Sequence, residues 1–68
     1  MKALSGKELA NILERHGWEL QRIAGSHHIY IKMGSILRIS IPIHGNQPLK
    51  KGLQMNLLRQ AGLTEKDF

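Results

Sequence analysis

The first part of the chain carries the hydrophobic pattern of an amphipathic helix. Apolar residues recur every three or four positions between Leu9 and Leu13, the spacing that places them on one helix face. Ser5 followed three residues later by Glu8 is a capping box, and Gly17 suits the left-handed residue that ends a helix. The pattern predicts a helix over residues 6–16.

Three strands are predicted next, over residues 18–24, 27–33 and 36–43. Gly34 and Ser35 suit a two-residue hairpin turn between the last two. Because successive strand residues point to opposite faces, the third strand should bury its isoleucines and direct Arg38 and Ser40 outward. Pro42 marks an edge strand or a strand end. The predicted core side chains of the third strand are Leu37, Ile39, Ile41 and Ile43.

The side chains of the second strand also point alternately to the two faces of the sheet. The adjacent histidines His27 and His28 should therefore lie on opposite faces. We expect the face that begins at His27 to lie in the core and the face that begins at His28 to be exposed. The predicted core set is His27, Ile29, Ile31 and Met33, and the predicted exposed set is His28, Tyr30 and Lys32.

A second helix is predicted to begin near Pro48 and to end at Gly62. Its apolar stripe comprises Leu49, Leu53, Leu57 and Ala61. Residues 64–68 are expected to form a frayed tail. The resulting α-β-β-β-α order predicts a single α+β domain over residues 1–68. Two helices should cover one face of a three-stranded antiparallel sheet, leaving function on the other face.

The distribution of charged residues along the chain favours a negatively charged partner. The 68 residues contain no cysteine and have a net charge of +5. No carboxylate occurs between residues 20 and 64, an asymmetry that attracts polyanions. The sequence therefore predicts a nucleic acid or another acidic partner. Six cations lie in that window: Arg22, Lys32, Arg38, Lys50, Lys51 and Arg59.

No segment has the pattern of a membrane span or a signal peptide. The apolar stretch 36–43 is interrupted by Arg38, Ser40 and Pro42, and it is too short to cross a bilayer. The first four residues are too few for the apolar part of a signal peptide. We expect a cytoplasmic protein without membrane contact.

The histidines suggest acid–base chemistry rather than metal binding. His27 and His28 point to opposite faces of one strand and cannot chelate a single ion together, and no cysteine is available. We therefore expect no metal and no cofactor. Ser26 has no nearby acid in the sequence to complete a nucleophilic triad. RNA cleavage does not require a nucleophile from the protein, because the ribose 2′-hydroxyl is itself the nucleophile.

In that reaction His28 would be the general acid or base. Lys32, Arg38 and Arg22 would stabilise the developing charge. The remaining predicted RNA contacts are Ser26, Tyr30, Lys50 and Lys51. Tyr30, Lys50 and Lys51 each have an ordinary structural alternative. Tyr30 suits base stacking and half-burial in a sheet equally well, and lysines at a helix start are usually only solvated.

The segment 25–30, Gly-Ser-His-His-Ile-Tyr, resembles the HicA (YcfA-like) family of small mRNA interferase toxins. Segments 7–18, 41–44 and 57–63 are also similar to that family, so the resemblance covers almost the whole chain. At 52–53 this chain has Gly-Leu where family members often carry Gly-Thr, which puts a capping or phosphate contact there in doubt.

The resemblance implies a double-stranded-RNA-binding-domain-like fold and the toxin role in a type II toxin–antitoxin system active in stress. It also implies ribosome-independent, metal-independent endonucleolytic cleavage of mRNA. The family's catalytic histidine is the second of the motif, His28 here. A HicB-type antitoxin would cover the His28 face.

Two other functions fit the same residues. One is a non-catalytic RNA-binding module of the same fold, which recognises RNA by its shape and phosphates. The other is a protein-interaction domain whose basic face serves only an acidic partner.

Overall fold

Two helices pack on one face of a three-stranded antiparallel sheet. The computed structural model describes residues 2–68, and the sheet has the strand order β1-β2-β3. The predicted α+β class and α-β-β-β-α order are confirmed. In chain order the elements are α1 (Gly6–Arg15), β1 (Glu19–Ala24), β2 (His27–Ile31), β3 (Ile39–Pro42), α2 (Lys51–Gln60) and a short 3-10 helix (Glu65–Asp67).

Helix α1 begins and ends at the predicted local signals. The Glu8 backbone N–H donates to Ser5 Oγ (3.1 Å), and the Ser5 N–H donates to Glu8 Oε1 (2.9 Å). At the other end Gly17 has φ +92°. This conformation lets the Trp18 N–H donate to the Leu13 carbonyl at 3.0 Å, as in a Schellman motif. Trp18 is buried beside Leu13 in the core.

The amino end of α1 lies directly against β3. A Cβ atom added at Gly6 would collide with the backbone carbonyl oxygen of Pro42. Glycine is therefore the residue that permits this approach. The prediction that Pro42 marks an edge or a strand end is confirmed, because β3 is an edge strand and ends at Pro42.

Helix α2 begins at Lys51, three residues later than Pro48. Pro48 instead pairs with Ser5 in an isolated antiparallel bridge, and the Leu49 N–H donates to the Leu4 carbonyl at 2.7 Å. The chain before α1 thus runs beside the chain before α2. This pairing explains why the second helix starts late.

The predicted apolar stripe of α2 is wrong at Leu53, which is 37% exposed, while its neighbour Gln54 is buried. The Gln54 side chain donates to the Lys2 carbonyl and accepts from the Leu4 N–H, both at 2.7 Å. A buried strand-like segment needs partners for its backbone groups, and an amide supplies both a donor and an acceptor. The buried positions Leu49, Leu57 and Ala61 are as predicted.

The prediction of which face of β2 is buried is also wrong. Tyr30 pairs with Ile39, and His28 pairs with Ile41. Both isoleucines are fully buried. Since paired residues of an antiparallel ladder project to the same face, the helix-covered face carries His28 and Tyr30. The open face carries His27, Ile29 and Ile31.

The third strand is shorter than predicted. Instead of a two-residue hairpin, a turn joins the Lys32 carbonyl to the Ser35 N–H (3.1 Å), with Gly34 at φ +85°. The Ser35 hydroxyl then accepts from the Leu37 N–H at 3.2 Å. These local hydrogen bonds replace the ladder, so the strand resumes only at Ile39 and leaves Leu37 about half exposed.

Residues 64–68, expected as a frayed tail, contain the 3-10 helix. Thr64 and Asp67 form a second capping box, and the Asp67 carbonyl lies 3.3 Å from His16 Nε2. Nowhere in residues 2–68 does the chain form a helix with the length and apolar character needed to cross a membrane.

Candidate active site

His28 lies on the helix-covered face near the start of β2. It is flanked in the sheet by Ile23 of β1 and Ile41 of β3. Ile41 is fully buried, whereas Ile23 is 56% exposed. The imidazole therefore lies between the core and the solvent, and it is half-buried. Its neighbour His27 is exposed on the open face.

Both ring nitrogens of His28 are available to a substrate. No side chain or backbone group of residues 2–68 forms a hydrogen bond with the imidazole. In this part of the chain the buried side-chain polar atom that lacks a partner is Trp18 Nε1. The His28 nitrogens are thus not sealed from water, although the ring is half-buried. A proton-transfer group needs this combination of fixed position and free nitrogens.

The start of α1 lies at the same end of the sheet as His28, and the segment that leads to α2 pairs with the residue before α1. The backbone N–H of Ile43, just after β3, donates to the Ser26 carbonyl at 2.8 Å. Gly6 packs on Pro42, which brings the start of α1 there. The bridge between Ser5 and Pro48 brings the segment before α2 to the start of α1. We call this region, with His28, the histidine end.

The histidine end is cationic. Lys7 lies in the first turn of α1, and Lys50 and Lys51 lie at the start of α2; all three are exposed. The carboxylate in the first turn of α1 is Glu8, which is already engaged. The backbone N–H of Ser5 holds the pKa of Glu8 below its usual value, despite a smaller opposing effect of desolvation.

The amino end of α2 carries no such cap. Lys50 occupies the N-cap position without a side-chain hydrogen bond, and the first turn contains no acid. Its first backbone N–H groups therefore lack an intrahelical acceptor, and the helix dipole adds positive potential. This arrangement suits a phosphate group.

Three predicted RNA contacts lie away from His28. Lys32 is four residues further along the strand direction, about 13 Å away, and its ammonium lies 5.9 Å from the Trp18 ring centroid. Arg38 precedes β3 at that same remote end. Arg22 pairs with Ile29 and so projects to the open face, on the other side of the sheet. These cations do not share a site with His28.

Tyr30 does not form the exposed stacking platform that the sequence suggested as one alternative. Its side chain is 3% exposed and belongs to the core. Burial raises the pKa of its hydroxyl, and the negative charge of Glu14 raises it further. Ser26 is half-buried in the turn before β2, where its carbonyl is occupied by Ile43.

Sequence reasoning missed Lys7 as a member of the cationic group. The capping box had already placed Lys7 in the first turn of α1. The missing information was the direction in which α1 crosses the sheet, and the close fit of Gly6 on Pro42 determines that direction. Within residues 2–68 no three histidine, aspartate or glutamate side chains are grouped closely enough to hold a metal ion.

Comparison with protein families matches residues 6–63 to the HicA toxin of bacterial toxin–antitoxin pairs. The match covers most of the chain, all of α1 to α2. The chain therefore belongs to the HicA toxin family: it is the toxin of a toxin–antitoxin system and has a cognate antitoxin as partner. A search of curated proteins finds no match.

Proposed function

We propose that this toxin is a metal-independent endoribonuclease that cleaves mRNA without the ribosome, with His28 as its general acid or base. The observation that carries the proposal is the half-buried imidazole with two free, solvent-accessible nitrogens. It lies at the end of the sheet to which the start of α1 and the segment before α2 also come. Both the nucleophile and the phosphate come from the RNA.

In the cleavage step the ribose 2′-oxygen attacks the adjacent phosphorus and loses its proton. The bond from phosphorus to the 5′-oxygen of the next nucleotide breaks, and that oxygen gains a proton. The products are a 2′,3′-cyclic phosphate and a 5′-hydroxyl. His28 serves one of these two proton transfers, and water serves the other. Positioned acid–base catalysis of this kind contributes about 10²–10⁴-fold, or roughly 3–5 kcal/mol of the barrier.

The phosphorane-like transition state carries extra negative charge. Lys50, Lys51 and the uncapped amino end of α2 are the groups that would stabilise it, with Lys7 adding to the potential. Groups aimed at charge that develops in the transition state accelerate the chemical step. With His28 as the one side chain assigned to proton transfer, the enzyme should be slow.

Neutralisation follows from the same geometry. A HicB-type antitoxin that covers the histidine end would exclude RNA from His28. The antitoxin would then act by steric occlusion and would not need to alter the toxin's fold.

The proposal is tested with two matched RNAs, one of which carries a single 2′-deoxy nucleotide at the cleavage position. We expect the all-ribose RNA to be cut to cyclic-phosphate and 5′-hydroxyl ends in the presence of EDTA. The 2′-deoxy RNA should bind with similar affinity and stay intact at that position. Cleavage of the 2′-deoxy site, or loss of cleavage in EDTA, would contradict the mechanism. Binding of both RNAs without cleavage of either would leave a non-catalytic RNA-binding module.

A further inference from the structure

The loop between β2 and β3 exposes large apolar side chains at the end of the sheet remote from His28. Met33 is 99% exposed, Ile36 is 100% exposed and Leu37 is 48% exposed. We call these three residues the apolar loop. Single exposed apolar residues are ordinary, but a contiguous group on a small monomer marks an interaction site.

The apolar loop has a defined conformation. A turn from Lys32 to Ser35, with Gly34 at φ +85°, directs Met33 outward. The Ser35 hydroxyl accepts from the Leu37 N–H and sets the direction of the chain after Ile36. Because the loop is held by its own hydrogen bonds, it loses less conformational entropy when a partner binds.

A groove of about 530 Å³ runs from the loop onto the open face of the sheet. Its floor includes the half-buried Ile31, and Gln21 and Glu19 of β1 form its far wall. Arg38 and Lys32 border it on the loop side. The site therefore combines an apolar floor with the cation of Arg38 and the carboxylate of Glu19, while the Lys32 ammonium at its border lies near the Trp18 ring.

We propose that the apolar loop and its groove anchor the cognate antitoxin, through an apolar segment of the antitoxin that carries acidic residues. Protein rather than RNA suits the site, because Met33 and Ile36 cannot bind phosphate groups, whereas apolar side chains form the cores of protein interfaces. A second copy of this chain does not suit it. Each copy carries a net charge of +5, so two copies repel each other.

The anchor is distinct from the site of inhibition. His28 is about four residues of strand, roughly 13 Å, from Lys32 at the edge of the loop. An antitoxin anchored on the loop spans that distance to cover the histidine end, while RNA bound at the histidine end leaves the loop free. The inference rests on the family's toxin–antitoxin pairing and not on catalysis by His28.

The experiment uses the cognate antitoxin, defined as the protein whose co-expression abolishes toxicity of the chain. Its affinity is measured by calorimetric titration against the His28→Ala toxin, so that catalysis plays no part. The test variant adds Met33→Gln and Ile36→Gln. The matched control adds Met55→Gln and Leu53→Gln, which change two exposed apolar residues of α2. Circular dichroism checks that all variants are folded.

We expect the loop variant to bind the antitoxin about 100-fold more weakly, as when hot-spot side chains are lost, and the control to bind within about threefold of the parent. RNA affinity should be unchanged in both. With His28 restored, the loop variant should arrest growth even when the antitoxin is co-expressed. Unchanged antitoxin affinity in the loop variant would overturn the proposal. Equal losses in variant and control, or a selective loss of RNA binding, would overturn it as well.

Discussion

His28 lies directly opposite Ile41 in the ladder between β2 and β3. Because Ile41 is fully buried beneath the helices, its partner is held against the core while its ring nitrogens stay accessible. The preceding residue, His27, pairs with Pro42 and is exposed on the other face. Two adjacent histidines thus differ in facing and burial, and each serves as a control for the other.

The contact of Gly6 with Pro42 positions α1 over the histidine end. In Gly6→Ala the new methyl group would collide with the Pro42 carbonyl oxygen, and either α1 or β3 must move. Overpacking of this kind costs about 1–3 kcal/mol. We expect urea unfolding to show a loss of that size.

Gly52→Ala is the matched control for this substitution. Gly52 lies in the first turn of α2, and nothing is within 4 Å of an added Cβ. Alanine in a helix is favoured over glycine by up to about 1 kcal/mol, so this variant should be unchanged or slightly more stable. A Gly6→Ala protein as stable as the Gly52→Ala protein would show that the close approach is not required.

The capping box of α1 predicts a pH-dependent stability. The pKa of Glu8 is lowered by its hydrogen bond from the Ser5 N–H. A carboxyl group with a lowered folded pKa stabilises the fold above its unfolded pKa, and this stabilisation is lost as the pH falls through the folded pKa. Glu8→Gln keeps a capping side chain but removes the charge. It should therefore be less stable than wild type at pH 7, and the difference should narrow as the pH falls through the folded pKa.

Ser5→Ala provides the comparison for this test. It removes the hydroxyl acceptor whatever the pH, at a cost of about 1 kcal/mol. Urea unfolding of the three proteins at pH 7 and pH 3 separates the two effects. A deficit of Glu8→Gln that did not narrow between pH 7 and pH 3 would mean that the carboxylate charge is not its cause.

The core position of Tyr30 can be followed directly, because it is the one tyrosine in the sequence. Burial and the charge of Glu14 raise its pKa above the usual 10.0. Titration of the phenolate absorbance should therefore have a midpoint above that of the urea-unfolded protein. The folded protein holds the Tyr30 proton more tightly than the unfolded chain does. The free energy of unfolding should therefore be independent of this group below pH 10 and should decrease as the pH rises above 10. A titration midpoint at or below that of the unfolded protein would show that the Tyr30 hydroxyl is exposed to water and not buried.

Local signals were enough to predict α1, and they were not enough to predict β2. Ser5, Glu8 and Gly17 act within a few residues, so the boundaries of α1 follow from the sequence almost to the residue. In β2 both faces carry apolar side chains, Tyr30 on one and Ile29 on the other. The hydrophobic pattern therefore does not decide which face is buried. The register with β3 decides it, and that register is a property of the whole fold.

Some residues of the candidate site could be predicted from the sequence, and others could not. His28 was singled out from the motif, but on the wrong face of the sheet. Lys32 and Arg38 were grouped with it because they share an alternating pattern, and distance along the strand separates them from it. Lys50 and Lys51 lie far from His28 in sequence, and the pairing of Ser5 with Pro48 brings their segment to the histidine end.

The proposed phosphate contacts predict a change in the salt dependence of RNA binding. Replacing Lys50 and Lys51 with alanine should weaken binding and reduce the slope of log K against log salt by about 1.4, since each contact to a single strand contributes about 0.7. Lys66→Ala, in the 3-10 helix whose Asp67 carbonyl lies near His16 at the end of α1, should leave the slope nearly unchanged. An unchanged slope in the double variant would show that Lys50 and Lys51 do not contact RNA phosphates.

The most direct test of the central claim is RNA cleavage by purified wild type, His28→Ala and His27→Ala at equal concentration, with folding checked by circular dichroism and RNA affinity measured in parallel. We predict that His28→Ala binds RNA with near wild-type affinity and loses at least about 100-fold in cleavage rate, whereas His27→Ala cleaves at close to the wild-type rate. Cleavage that survives His28→Ala in the folded protein would contradict the account.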